Sequence, residues 1–120
     1  MITHVKFVGV YVSDQLRALD FFTNKLGFDV LKNVAFGEQR WIEVAPPGAQ
    51  TALVLFTPPG MEDRIGTFAP AVFTCEDVRA TYEELRARGV EFKQAPKEEA
   101  WGVSAMFTDP DGNTYMLGSN

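Results

Sequence analysis

Few residues in this 120-residue chain have side chains suited to catalysis, and they are scattered. His4 is the only histidine and Cys75 the only cysteine. A Ser–His–Asp triad is not predicted, because the single histidine lies near the start of the chain. Cys75 precedes a predicted helix, whose dipole can activate a thiol. However, it occupies the same place as Ser13 in an internal repeat, which favours a small structural residue. No glycine-rich phosphate loop is found.

Three acidic residues have positions that could matter for ligand binding. Asp109 and Asp111 stand in Asp-Pro-Asp-Gly-Asn, which resembles a calcium loop only in part, because no further acidic ligand follows at the required spacing. The proline and glycine of this segment predict a hairpin turn instead. Glu43 lies in the middle of a predicted strand. It either faces a cavity, occupies an exposed sheet position or forms an ion pair with Arg40, and the sequence leaves these alternatives open.

The composition is that of an ordinary globular protein, with 46% hydrophobic and 22% charged residues. The net charge is −5 and no basic stripe is present, so a nucleic-acid partner is not expected. The acidic balance is compatible with a cationic ligand. One cysteine cannot form an internal disulfide, and we find neither a signal peptide nor a long apolar span. We therefore expect a cytoplasmic protein without a membrane partner.

An internal repeat with an offset of 62 residues organises the chain. Four matched pairs share this offset, which indicates a duplication rather than chance: Asp14 and Glu76, Arg17 and Arg79, Ala18 and Ala80, Gly27 and Gly89. A repeat of this length with only two copies predicts a pseudo-symmetric domain and not a solenoid. We expect one domain over residues 1–120, with a first module at 2–57, a linker at 58–66 and a second module at 67–118.

Each copy shows the pattern of a βαβββ module, which predicts an α+β fold. Ser13 or Asp14 is expected to cap the first helix, and Glu76 or Asp77 the second. A glycine follows each helix where a positive φ is needed. The strands are expected at 5–12, 28–32, 40–44 and 52–56 in the first copy, and at 71–74, 90–94, 103–107 and 114–117 in the second.

One helix can cover only one face of each sheet, so the other face stays bare. Alternation along the first strand places Val8, Val10 and Val12 toward the helix and Phe7 and Gly9 on the bare face. We expect the bare faces of the two modules to form the walls of one half-open barrel with a ligand cavity.

This duplicated pattern resembles the vicinal oxygen chelate superfamily, which includes glyoxalase I, extradiol dioxygenases and bleomycin-binding proteins. The resemblance extends over essentially the whole chain. It depends on these segments: Val10-Tyr-Val-Ser-Asp, Phe21-Phe22, Lys25-Leu-Gly-Phe, Leu85-Arg-Ala-Arg-Gly-Val and Asp109-Pro-Asp-Gly-Asn. The Arg40-Trp-Ile-Glu-Val-Ala-Pro-Pro-Gly segment, together with Trp101-Gly, looks like a largely uncharacterised bacterial branch. The resemblance implies half-open curled sheets but no particular reaction, because one fold supports several chemistries.

Catalytic members of this superfamily hold a divalent metal with His and Glu side chains on the bare face. Carried over residue by residue, these positions fall at or near Phe7, Leu55, Pro70 and Met116. All four are apolar and unsuited to a hard or borderline cation. His4 and Glu43 remain weak alternative ligands. The resemblance therefore implies a divalent metal, whereas the residues predict that no cofactor is bound.

Three functions follow, and a small-molecule binder of the bleomycin-resistance type, metal-free and holding an apolar or aromatic ligand, fits the residues best. A metal-dependent lyase, isomerase or dioxygenase with displaced ligands is the alternative, and an interaction module is the third. A homodimer is expected, because short open sheets leave edges to pair. The residues expected to bind the ligand are Phe7, Phe36, Arg40, Trp41, Leu55, Trp101 and Met116. Phe56 and Phe107 are further candidates for the cavity walls.

Overall fold

The structure, a computed structural model, describes residues 1–119. The chain divides into two compact units, residues 1–66 and the residues from Thr67 onward. No helix among the described residues is both long and apolar enough to span a membrane. The elements of the first unit are β1 (Phe7–Val10), α1 (Gln15–Asp20), a π-helical turn (Phe21–Lys25), β2 (Asp29–Phe36), β3 (Gln39–Ala45), β4 (Ala52–Leu55) and a 3-10 turn (Glu62–Arg64). Those of the second unit are β5 (Phe68–Cys75), α2 (Val78–Ala87), β6 (Glu91–Glu99), β7 (Gly102–Thr108) and β8 (Thr114–Ser119).

Each unit contains one four-stranded mixed sheet, which confirms the predicted α+β fold of two βαβββ modules. The strand order is β1-β4-β3-β2 in the first unit and β5-β8-β7-β6 in the second. In each sheet the first strand runs parallel to the last, and the remaining neighbours are antiparallel. Neither sheet closes on itself, so each keeps one face covered by its helix and one open face.

The core of the first unit lies between its helix and the covered face of its sheet. Phe21 and Phe22 pack edge to face, and Phe22 is fully buried. The sheet contributes Ile42 and Val44, both at 0% exposure. Folding removes the apolar surface of these side chains from water, and this burial is the main source of the unit's stability.

The second unit places its aromatic side chains on the covered face. Phe73, Phe107 and Tyr115 form a near-parallel stack with centroid distances of 5.4–6.1 Å. Phe92 joins Phe107 to Tyr82 of α2, whose ring it meets edge to face at 4.7 Å. Phe107 is 1% exposed, so this candidate for the wall of a ligand cavity is in fact part of the core.

The strands lie where the sequence predicts them, but β2, β5 and β6 are three or four residues longer than predicted and β1 is four residues shorter. Every residue of β2 is exposed, and β6 carries many charged residues. Strands that bury neither face lack the apolar alternation by which strand ends are recognised. β2 also contains an irregularity between Val30 and Lys32, which shifts the register.

Asp14 and Asp77 cap the two helices, each accepting from backbone N–H groups of the first turn. Both were among the predicted caps. They are 63 residues apart, so Asp14 corresponds to Asp77, and the matched pair Asp14 and Glu76 is wrong. Gly27 and Gly89, with φ of 77° and 90°, remain 62 residues apart. The first helix therefore holds one more residue between cap and glycine than the second.

The π-helical turn accommodates that extra residue. Phe28 donates its N–H to the carbonyl of Phe22, whereas Val90 donates to Leu85. The first hydrogen bond spans six residues and the second five. A π-helical turn is the usual way in which a helix takes up one additional residue without rotating the segments on either side.

Candidate ligand-binding face

The register of the first sheet defines its open face. Phe7 lies beside Ala52, and Gly9 lies beside Val54, which in turn pairs with Glu43. The alternate residues of β1 face the helix, where Val10 is 2% exposed. The predicted alternation of the first strand is therefore confirmed, with Phe7 on the open face.

Four aromatic side chains gather on this open face, and we call them the aromatic cluster: Phe7, Phe36, Trp41 and Phe56. Trp41 is at the centre, with ring centroids 5.6 Å from Phe7, 5.4 Å from Phe36 and 5.4 Å from Phe56. Phe36 and Phe56 meet edge to face. Phe7 is 38% exposed and Phe36 53% exposed. The cluster is thus a rigid apolar surface that remains open to solvent.

The backbone around the cluster is held by two glutamine side chains. The β3–β4 ladder is short, and Gln15 bridges the strands beyond it by donating to the carbonyls of Arg40 and Leu55. Gln39 makes a reciprocal pair of hydrogen bonds with the backbone of Thr57. Gln15 thus links β3 to Leu55, and Gln39, itself in β3, is linked to Thr57. Together they fix the spacing between Trp41 and Phe56.

The irregularity in β2 decides which of its side chains reach the open face. Val30 pairs with Val44 of the covered face, but beyond the shift Lys32 pairs with Glu43 and Val34 with Trp41. The extra residue reverses the side-chain alternation. Phe36 consequently faces the same side as Trp41, as its ring contact shows.

Glu43 lies on the open face next to the aromatic cluster. It is half-buried, and its Oε2 accepts a hydrogen bond of 2.8 Å from Trp41 Nε1. Glu43 therefore shares the open face with Trp41 and is partly buried there. The proposed ion pair with Arg40 does not form, since Arg40 Nε donates instead to Asn33 Oδ1 at 2.6 Å.

Arg40 and Leu55, two residues expected to bind ligand, do not lie on this face. Leu55 pairs with Val10 and is fully buried on the covered side. Arg40 pairs with Ala35, one residue away from Trp41 along β3, so its side chain extends to the opposite side. The residue of β4 that faces the cluster is Val54. The strand register decides which face each side chain of β3 and β4 occupies, and it places both Arg40 and Leu55 away from the open face.

The residues on the open faces do not fit a divalent metal. The positions predicted to correspond to metal ligands carry Phe7 and Leu55 in the first unit and Pro70 and Met116 in the second, and Val54, which takes the place of Leu55 on the open face, is apolar as well. None has an oxygen or nitrogen donor in its side chain. His4 is exposed and precedes β1, with Thr3 Oγ1 3.1 Å from its Nδ1. Within residues 1–119, no three His, Cys, Asp or Glu side chains are grouped so as to hold a metal ion.

The open face of the second unit has a different character. Met116 pairs with both Met106 and Val72, so thioether and aliphatic groups form its centre. Trp101 is 61% exposed and covers Gly118, where an added Cβ would lie 3.7 Å from the indole. Met116 and Trp101 therefore lie on the open face of the second sheet and not beside the aromatic cluster, and their contact with a ligand stays a prediction.

Asp109 is a structural residue at the β7–β8 turn. Its carboxylate accepts from the backbone N–H groups of Asp111 and Asn113, from the Asn113 side chain and from the Tyr115 hydroxyl. Burial raises the pKa of Asp109, and the hydrogen bonds from Asn113 and Tyr115 oppose the rise. Burial and the neighbouring Asp109 also raise the pKa of Tyr115. The predicted turn is observed, with its acidic oxygens committed to the protein itself.

Comparison with known proteins agrees with this architecture. The Glyoxalase/Bleomycin resistance protein/Dioxygenase superfamily model matches residues 2–117. The uncharacterized protein YetH of Bacillus subtilis (strain 168) is 42% identical over 118 residues, which cover 98% of each protein. A superfamily member from Sphaerobacter thermophilus DSM 20745 has a TM-score of 0.90 and 35% identity, covering 99% of this chain and 98% of its own.

A further similar structure is that of a protein described by the ligand it binds. TnmS3, described as an antibiotic binding protein from Streptomyces sp. CB03234, is 41% identical to the chain. Its TM-score is 0.89, and the match covers 98% of this chain and 96% of TnmS3.

Proposed function

Because the chain belongs to the Glyoxalase/Bleomycin resistance protein/Dioxygenase superfamily, we propose that it is a small-molecule binding protein that sequesters or carries a planar aromatic ligand. The ligand binds the aromatic cluster on the open face of the first sheet and requires no metal. The proposal gives the binding surface to one unit and does not depend on the second.

The observation that carries this proposal is the solvent-open aromatic cluster. The four contacting rings lie on the face away from the helix, with Phe7 and Phe36 exposed and Trp41 and Phe56 half-buried, and contiguous exposed apolar surface is usually functional. Stacked or edge-to-face aromatic pairs contribute about 0.5–1.5 kcal/mol each beyond burial of area. A flat ligand that meets three or four of these rings would gain about 1.5–6 kcal/mol from such contacts, in addition to the burial of its apolar surface.

Two further observations support binding over metal catalysis. The residues at or next to the metal-ligand positions expected in the first unit are Phe7, Val54 and Leu55, and apolar side chains cannot chelate the metal that polarises a substrate oxygen. TnmS3, a relative that matches nearly the whole chain, is itself described as an antibiotic binding protein. A metal-dependent lyase, isomerase or dioxygenase would need ligands from residues elsewhere on the chain.

Calorimetric titration with 9-fluorenone, a neutral planar tricycle, tests the proposal. We expect saturable binding that Trp41→Ala weakens at least tenfold, about 1.4 kcal/mol, because the central ring of the cluster is lost. Phe68→Ala removes an aromatic ring that is 56% exposed in the second unit and serves as the matched control, with an unchanged affinity. Trp41→Phe keeps a ring and should lose less. Equal affinities for wild type and Trp41→Ala would refute the assignment.

We also propose that the protein is a homodimer. Edge strand β2 exposes Val30, Leu31, Val34 and Phe36, at 43–54% of their surfaces. An exposed apolar edge strand favours pairing with another chain. Light scattering coupled to gel filtration should give twice the 13.3 kDa chain mass. A mass of one chain at micromolar concentration would contradict the dimer without affecting the binding proposal.

A further inference from the structure

We propose that Glu43 selects ligands that carry a cationic N–H group, so that the preferred ligand is a planar aromatic cation. This inference depends on the proposed function, since it concerns the ligand of the same aromatic cluster. It adds a specificity-determining residue and a charge to the ligand class.

Glu43 is placed to meet a ligand that lies on the cluster. It belongs to β3, an inner strand of the sheet, two residues beyond Trp41 and on the same face. Val54 lies beside it on β4 and offers no polar group. A ligand ring stacked on the indole would therefore have its edge within reach of this carboxylate.

The carboxylate keeps hydrogen-bonding capacity for that ligand. Trp41 Nε1 donates to Oε2, and no other hydrogen bond or ion pair of Glu43 is found among residues 1–119. An ionised carboxylate has about four acceptor sites on its two oxygens. Oε1 is thus available, while the indole bond holds the group in one orientation.

Covering this carboxylate makes the charge of the ligand decisive. A flat apolar molecule on the cluster would remove water from a half-buried anion, and an ion desolvated without a partner is strongly unfavourable. A cationic N–H group of the ligand replaces the lost water, and a cation also interacts favourably with the indole face. An anionic ligand would be repelled at short range and by the net charge of −5 at long range.

Lys32 is the charged residue that could offset this effect. It lies directly across from Glu43 on β2 and is exposed. In the described part of the chain no ion pair of 4 Å or less joins the two side chains. The Lys32 ammonium is solvated and does not pair with Glu43, so it does not neutralise the carboxylate. Its positive charge nevertheless weakens the local attraction for a cationic ligand.

Three tricyclic probes of similar size and different charge test the inference: proflavine as the cation, 9-fluorenone as the neutral compound and anthraquinone-2-sulfonate as the anion. By calorimetry we expect wild type to bind proflavine at least tenfold more tightly than the anion. Glu43→Gln, which can still accept from the Trp41 indole, should weaken proflavine at least fivefold and strengthen 9-fluorenone, because a neutral amide costs less to desolvate than an unpaired carboxylate. Lys32→Gln should strengthen proflavine binding.

Glu83→Gln is the matched control, because it removes the same charge from an exposed position on α2. It should leave all three affinities within twofold of wild type. Two results would overturn the role of Glu43 and leave the proposed function intact. One is that 9-fluorenone binds but the three probes have similar affinities. The other is that Glu43→Gln and Glu83→Gln weaken proflavine binding equally. Failure of all three probes to bind would overturn both.

Discussion

At the scale of single residues, Asp109 shows how a buried charge is made acceptable. Four donors converge on its carboxylate, and Tyr115 supplies the shortest bond at 2.8 Å. Tyr115 is fully buried at 0% exposure. Removing one partner of a buried charged group leaves the other without compensation. The hydroxyl of Tyr115 is therefore expected to stabilise the second unit.

Tyr115→Phe should lower the free energy of unfolding by about 1.5–3 kcal/mol in urea denaturation at pH 8, since a hydrogen bond to a buried charge is lost. Tyr82→Phe is the matched control and should change it by less than about 0.5 kcal/mol. Tyr82 contacts Phe92 and Arg86 through its ring, and its hydroxyl makes no hydrogen bond within residues 1–119.

The cost of Tyr115→Phe should also depend on pH. The pKa of Asp109 is raised above 3.8 in the folded protein, so its favourable contribution is complete below that value and is lost as pH rises through the folded pKa. Tyr115 stabilises the charged form that exists at higher pH. The variant should therefore lose more stability at pH 8 than at pH 4. An equal loss at both would show that Asp109 does not titrate between them.

The site residues divide into those that the sequence could predict and those that it could not. Phe7 follows from simple alternation along β1, and the apolar identity of the metal-ligand positions can be read directly. The phase of β3 cannot be read, because its alternation is compatible with either face until the register is known. Arg40 and Glu43 could not be assigned to a face for that reason. Leu55 of β4 was carried over from a superfamily position, and the register puts its neighbour Val54 on the open face instead.

At the scale of elements, the π-helical turn is the main difference between the two copies. Alignment of the repeat at a single offset failed because the offset is 63 before this turn and 62 after it. The caps and the terminal glycines were nevertheless predicted correctly, since each depends on a local requirement for a donor partner or a positive φ. An inserted residue within a helix leaves no such local signal.

Deletion of Asn24 tests this account of the helix. Asn24 is exposed and lies within the turn, so its removal should leave a regular helix with Phe22 and Gly27 in place. We expect a folded variant that loses less than about 2 kcal/mol. Deletion of Arg86 is the comparison, because α2 contains no inserted residue. It should rotate the part of the helix that follows by about 100° relative to the part before it. Circular dichroism melts that show equal losses would contradict the insertion.

At the scale of the whole molecule, the two units share a topology but use their aromatic residues oppositely. In the first unit the rings of Phe7, Phe36, Trp41 and Phe56 lie on the open face. In the second unit Phe73, Phe107 and Tyr115 lie in the core. The duplicated fold was predictable from the repeat, whereas this division of labour was not, because both copies contain similar numbers of aromatic residues.

The central claim is that a planar ligand binds the aromatic cluster, and the indole N–H signals in a ¹H–¹⁵N correlation spectrum test it most directly. The chain has two tryptophans and so two such signals, which Trp41→Phe and Trp101→Phe assign. On titration with proflavine the Trp41 signal should shift progressively and saturate at one probe per chain, because its N–H lies between the cluster and Glu43. A Trp41 signal that stays fixed while calorimetry reports saturable binding would contradict the claim.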